Sequence, residues 1–208
     1  MSKQKVWTPS NILTLVRMGG APLVLVFGYM ELALNGNLAF YQVEQAPYPY
    51  LGAVAGFCFL LAALTDLLDG YLARKRNEVT TLGKFLDPLA DKILVTTALI
   101  MLVRLTWIPA WVAILIILRE ITITAMRSMA SAEGIIIAAG HLGKKKTFFQ
   151  SWAIWFLLIH YSHFGIPFHY VGMVVLYIAL FLTLYSGYDY MMKYFSGVRQ
   201  EAYMTKND

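Results

Sequence analysis

Four aspartates stand at spacings suited to joint chemistry: Asp66 and Asp69, three residues apart, and Asp87 and Asp91, four apart. Partners at those spacings share one face of a helix. Both pairs interrupt apolar sequence. "YLGAVAGFCFLLAAL" runs up to the first, and the second lies in "LGKFLDPLADKILVTTALIML". A charge at the centre of a bilayer-spanning helix costs about 2.5–3.5 kcal/mol on insertion scales. Carboxylates gathered at a membrane edge also repel one another unless cations hold them. Oxygen-only ligands suit Mg²⁺, Mn²⁺ or Ca²⁺, and carboxylate-bound Mg²⁺ usually completes its sphere with phosphate. Solvated helix caps are the plain alternative for any one of these acids. The whole pattern opposes that reading. Gly70, Ala73, Arg74 and Gly83 stand between the pairs, and Ala73 and Gly83 fall on the aspartate faces, where small residues allow close approach.

The elements that must position these acids follow from composition. The chain has 208 residues, 59% hydrophobic and 14% charged, with a mean hydropathy of +0.59. Soluble domains average about 45–50% apolar and about 25% charged. The expectation is an all-α integral membrane protein, a single domain over 1–208. Six apolar runs are long enough to cross a bilayer: 11–33, 50–73, 83–105, 108–132, 147–165 and 170–193. They are separated by polar or turn-forming breaks, with a longer outer loop at 34–49 and a tail at 195–208.

Basic residues give the orientation. Alternating the six runs puts Lys3, Lys5, Arg74, Lys75, Arg76, Lys144 to Lys146, Lys193, Arg199 and Lys206 on one side, and Arg104 alone on the other. The positive-inside rule makes the first side cytoplasmic, with both termini and all four aspartates there. The net charge of +5 therefore reports topology and anionic lipid, not a nucleic-acid partner. Cys58 is the one cysteine, so no internal disulfide forms. The N-terminal stretch lacks a small-residue cleavage site and reads as retained.

The fourth run is apolar for one half and then carries Arg119, Glu120, Arg127 and Glu133. Arg119 and Arg127 lie within about 80° of each other on a helix. They form either a cationic wall facing an interior pocket or an Arg–Glu pair neutralised inside the bundle. "GKKK" at 143–146 is either part of that wall or a topogenic loop. Together, Arg119, Arg127, Lys144 and Lys146 suit a phosphate dianion.

The pattern Asp66-x2-Asp69-Gly70-x2-Ala73-Arg74-x8-Gly83-x3-Asp87-x3-Asp91 resembles the signature of the CDP-alcohol phosphotransferases at all eight of its positions. Members of that family move a phosphatidyl or similar group from a CDP-linked donor to an alcohol and release CMP. The resemblance implies a six-helix protomer, a homodimer, and a site open to the cytoplasm and inner leaflet of the cell membrane. It implies that Asp66, Asp69 and Asp87 ligate a centre of two divalent ions, Mg²⁺ or Mn²⁺. Asp91 would neighbour those ions and act as general base. Gly70, Ala73 and Arg74 would pack on the CDP moiety, with Gly83 leaving room for the nucleotide. "NILTLVR" resembles the family's Asn-x2-Thr-x2-Arg, so Asn11, Thr14 and Arg17 would help hold CDP-diacylglycerol. A helix-cap role is equally open for Asn11.

Residues 119–150 resemble the branch of that family whose acceptor is sn-glycerol 3-phosphate, at Arg119, Glu120, Thr124, Arg127, Gly134, Gly143, Lys144, Lys146, Thr147 and Gln150. The implied product is phosphatidylglycerophosphate. Inositol phosphate, serine and phosphatidylglycerol are the alternative acceptors. A small ion-coupled transporter is the alternative outside enzymes, although such proteins more often show internal repeats. His160, His163 and His169 read as interfacial histidines, since no acid or cysteine accompanies them for zinc. Trp7, Trp107 and Tyr194 read as interface anchors.

Overall fold

The structure is a computed structural model that describes residues 9–35, 48, 50–76, 81–132, 141–163 and 165–204. Six helices make up almost all of it: α1 (Pro9–Asn35), α2 (Tyr50–Arg76), α3 (Thr81–Arg104), α4 (Ala110–Ala132), α5 (His141–Ile159) and α6 (Phe168–Met204). A two-residue hairpin, β1 (Ser162–His163) with β2 (Ile166–Pro167), joins α5 to α6 and pairs His163 with Ile166. Pro9 opens α1 at the first helical position, where its missing N–H costs nothing.

Packing depends on small residues. α1 lies on α2 and α3, α2 on α5, and α6 on α5 and α4. A Cβ added at Gly20 would stand 2.6 Å from that of Ala62, and one at Gly52 would stand 2.5 Å from the Leu158 carbonyl oxygen. These glycines let backbones approach, the usual means of association where lipid supplies no hydrophobic drive between helices. Phe59, Leu99, Leu102, Ile116, Ile154 and Leu157 fill the interior with no exposed surface. The outer surface is apolar as well. Phe57, Ile121, Phe181 and Tyr185 are each more than half exposed. Arg17–Leu34 and Phe168–Ser196 are long and apolar enough to cross a membrane.

The ends of α1, α3 and α5 meet the starts of α2, α4 and α6 in one buried cluster. Glu31 accepts hydrogen bonds from the Gly52 N–H (3.1 Å) and the Tyr161 hydroxyl. Trp107 stacks on His160 with centroids 3.8 Å apart, and His160 meets His169 through their Nδ1 atoms at 3.1 Å. Two residues there are left-handed, Thr106 (φ 62°) and His160 (φ 57°). Thr106 closes α3: its N–H reaches the Val103 carbonyl at 2.9 Å and that of Trp107 reaches Leu102 at 3.0 Å, the paired bonds of a Schellman cap. Glycine is the usual residue at such a position, so surrounding contacts hold Thr106 there.

Several expectations need correction. Trp107, Tyr194, His160 and His169 are buried, not interfacial. The aromatic and imidazole rings at 107, 160 and 169 pack on one another, which a hydropathy argument does not register. His160 pairs with His169, nine residues on; the His163 side chain lies outside the described residues. The fifth helix spans 141–159 instead of 147–165, taking in the basic run. α6 continues to Met204, so most of the expected tail is helix. Trp7 and the outer loop 34–49 lie almost wholly outside the described residues.

Candidate active site

The two halves of the aspartate pattern end one helix and begin the next. Asp66, Asp69, Gly70, Ala73 and Arg74 occupy the last turns of α2, and Gly83, Asp87 and Asp91 the first turns of α3. Those two helices are in contact, and only residues 77–80 separate them in the chain. Connectivity alone therefore sets both pairs at the same end of the bundle, opposite the Glu31 cluster. Among these residues the described side chains are limited to Asp91, which is half-buried. In α1, Thr14 and Arg17 are fully buried, while the Asn11 side chain lies outside the described residues.

Asp91 lines a pocket between α3, α4 and α5. It is lined by Asp91, Lys92, Thr96, Glu120, Thr147, Gln150 and Ser151 together with the apolar Val95, Leu99, Ile116 and Ile117. Small-molecule sites combine polar groups with apolar lining in this way.

Glu120 organises the cations around this pocket. Its Oε1 accepts from Arg119 NH1 at 3.2 Å and from Lys146 Nζ. The Arg119 NH2 donates to Ser186 Oγ on α6 at 2.9 Å. Lys146 is 7% exposed. Arg119 and Lys146, read from the sequence as one cationic set, thus meet at one carboxylate oxygen. The Arg119–Glu120–Lys146 contact is formed, while none of Arg119, Lys146 and Arg127 is among the residues that line the pocket. Arg127 stands apart: it is exposed, with its guanidinium carbon 5.9 Å from the Tyr190 ring centroid. Lys144 belongs to α5, but its side chain lies outside the described residues.

The sequence reading left Glu120, Ser186 and the pocket lining of α5 out of the site. Glu120 carried a signal, an acid beside an arginine in apolar sequence. Ser186 carried none.

Among the described residues no three His, Cys, Asp or Glu side chains form a metal-holding group, and three of the four aspartates fall outside that description. The donor set itself fits a hard divalent ion: carboxylates alone, on two adjoining helices, without nitrogen or sulfur ligands.

Comparison with known proteins identifies the family. The family model for CDP-alcohol phosphatidyltransferases matches residues 7–185. The CDP-diacylglycerol–glycerol-3-phosphate 3-phosphatidyltransferase of Bacillus subtilis (strain 168) is 39% identical over 187 residues, covering 88% of this chain and 93% of that protein. The protein of the same name in Rickettsia bellii is 35% identical over 189 residues, with 89% and 96% covered. That of Haemophilus influenzae is 38% identical over 160 residues, with 74% and 82% covered. Matched by the family model over most of its length and by relatives at this level of identity, the chain belongs to the CDP-alcohol phosphatidyltransferases.

Proposed function

We propose that the protein transfers the phosphatidyl group of CDP-diacylglycerol to sn-glycerol 3-phosphate, giving phosphatidylglycerophosphate and CMP in phospholipid biosynthesis. The observation that carries this reading is the pocket that sets Asp91 beside Glu120, whose carboxylate holds Lys146 and Arg119.

The chain's own residues divide the work. Asp91 takes the proton of the acceptor's primary hydroxyl as its oxygen attacks the phosphorus bearing the diacylglycerol, and the bond to CMP breaks. Arg119 and Lys146, both paired with the pocket residue Glu120, hold the acceptor's phosphate, Lys144 adds charge from the same helix turn, and Arg127 draws the anion in from the exposed side. Asn11, Thr14, Arg17, Gly70, Ala73, Arg74 and Gly83 hold the CDP-diacylglycerol. The family is generally dependent on divalent metal. Asp66, Asp69, Asp87 and Asp91 would hold two such ions, Mg²⁺ or Mn²⁺, whose charge would offset that of the diphosphate and of the departing CMP.

The protein is placed as a single domain crossing the cell membrane six times, with both termini and the site on the cytoplasmic side. Six helices with an apolar outer surface and a one-sided basic charge support that topology. The homodimer rests on the family resemblance alone.

The test is an acceptor panel with purified protein, CDP-diacylglycerol and Mg²⁺, read as CMP release. Glycerol 3-phosphate should be used well above glycerol, serine, inositol phosphate and phosphatidylglycerol. Equal use of any of these overturns the acceptor.

A further inference from the structure

We infer that Ser186 is a positioning residue for acceptor recognition, fixing the Arg119 guanidinium from α6 without neutralising it. The inference rests on the reading that Arg119 holds the acceptor's phosphate. It concerns a part of the chain beyond residues 7–185, where the family model matches.

Arg119 reaches sideways across the α4–α6 contact. NH2 donates to Ser186 Oγ at 2.9 Å, across 67 residues of sequence, and NH1 donates to Glu120 at 3.2 Å. Ser186 Oγ donates its own hydrogen to the Thr183 carbonyl at 3.1 Å, which leaves its lone pairs to accept from the guanidinium. The next residue completes the cradle. A Cβ at Gly187 would stand 3.1 Å from both Cγ and Nε of Arg119, so the arginine lies against bare backbone. The side chain is only 11% exposed.

The arrangement has a chemical consequence. A guanidinium carries five N–H donors. Two are engaged, by Glu120 and Ser186, which leaves three. Nε is among these: it is buried and has no partner among the described residues. A free arginine would lose much rotamer freedom on meeting a phosphate, whereas a fork already fixed loses little. The choice of serine also matters. A carboxylate at 186 would hold the arginine as firmly but cancel the charge the phosphate must meet. A hydroxyl holds it and leaves Arg119, Lys146 and Glu120 with one net positive charge between them.

The test uses full-length protein in detergent, with KM for glycerol 3-phosphate, KM for CDP-diacylglycerol, kcat and Tm measured together. Ser186→Ala should raise the KM for glycerol 3-phosphate by about tenfold, the scale of a hydrogen bond to a charged group, and leave that for CDP-diacylglycerol within twofold. Ser186→Thr keeps the hydroxyl and should restore the wild-type value. If the alanine variant does not purify, Ser186→Cys, of similar volume but a weak acceptor, carries the same expectation. An unchanged KM for glycerol 3-phosphate, or equal rises for both substrates, overturns the role. A wild-type protein that turns over CDP-diacylglycerol but not glycerol 3-phosphate overturns the acceptor assignment, and this inference with it.

Discussion

Lys146 of α5 is held by the carboxylate of Glu120, 26 residues earlier on α4. The same oxygen accepts from Arg119, so one acid keeps two cations from repelling each other. Glu120→Gln should therefore lower stability by about 1.5–3 kcal/mol, the range for a hydrogen bond to a charged group, read as a fall in Tm. Millimolar glycerol 3-phosphate or inorganic phosphate should recover part of that loss, because an anion replaces the missing charge. A Tm unmoved by the substitution would show that the pair contributes nothing.

Asp91 lines the same pocket and is assigned the proton. Asp91→Asn should leave CDP-diacylglycerol binding nearly intact while kcat falls by about two to four orders of magnitude, the usual scale for loss of a general base. Near-normal turnover rejects the assignment.

Chelation tests the aspartate pattern as a whole. Excess EDTA should abolish CMP release, and Mg²⁺ or Mn²⁺ should restore it. Full activity in the chelator would remove the metal from the reaction.

The cations should not contribute equally. Arg119→Ala and Lys146→Ala should raise the KM for glycerol 3-phosphate well above that for CDP-diacylglycerol. Arg127→Ala, at an exposed position over Tyr190, should have a smaller effect that fades as salt screens it. An Arg127 effect as large as that of Arg119 would show that the acceptor sits nearer the surface.

At the opposite end of the bundle, Gly52→Ala should destabilise without a selective change in either KM. The added Cβ would meet the Leu158 carbonyl oxygen at 2.5 Å, a backbone atom that cannot swing aside, so α2 and α5 must separate. A wild-type Tm in this variant would contradict the close crossing.

The helices were largely legible because apolar runs of spanning length are written in the chain, and the aspartate pattern because its charges stand against that hydropathy. The start of α5 was not. "GKKK" reads as a loop by charge, yet Lys146 belongs inside because Glu120, on another helix, receives it. Trp107 and His160 were misplaced for the same reason. An aromatic near a span end suits an interface, and only the partner ring shows that it is stacked inside. Ser186 and Gly187 had no readable spacing at all, since their meaning lies in an arginine 67 and 68 positions away.

The Glu31 cluster also bears on the order in which the protein is made. Glu31 and Tyr161, whose hydroxyl binds its carboxylate, are 130 residues apart. At about 5–20 residues per second of synthesis, that separation lasts roughly 6–26 s. Throughout this interval the Glu31 carboxylate lacks the Tyr161 hydroxyl, although the Gly52 N–H is only 21 residues away. Its full set of hydrogen bonds is therefore complete only after α5 has been delivered. Closure of this end of the bundle is a late event, and α1 and α2 can dock along Gly20 and Ala62 well before it.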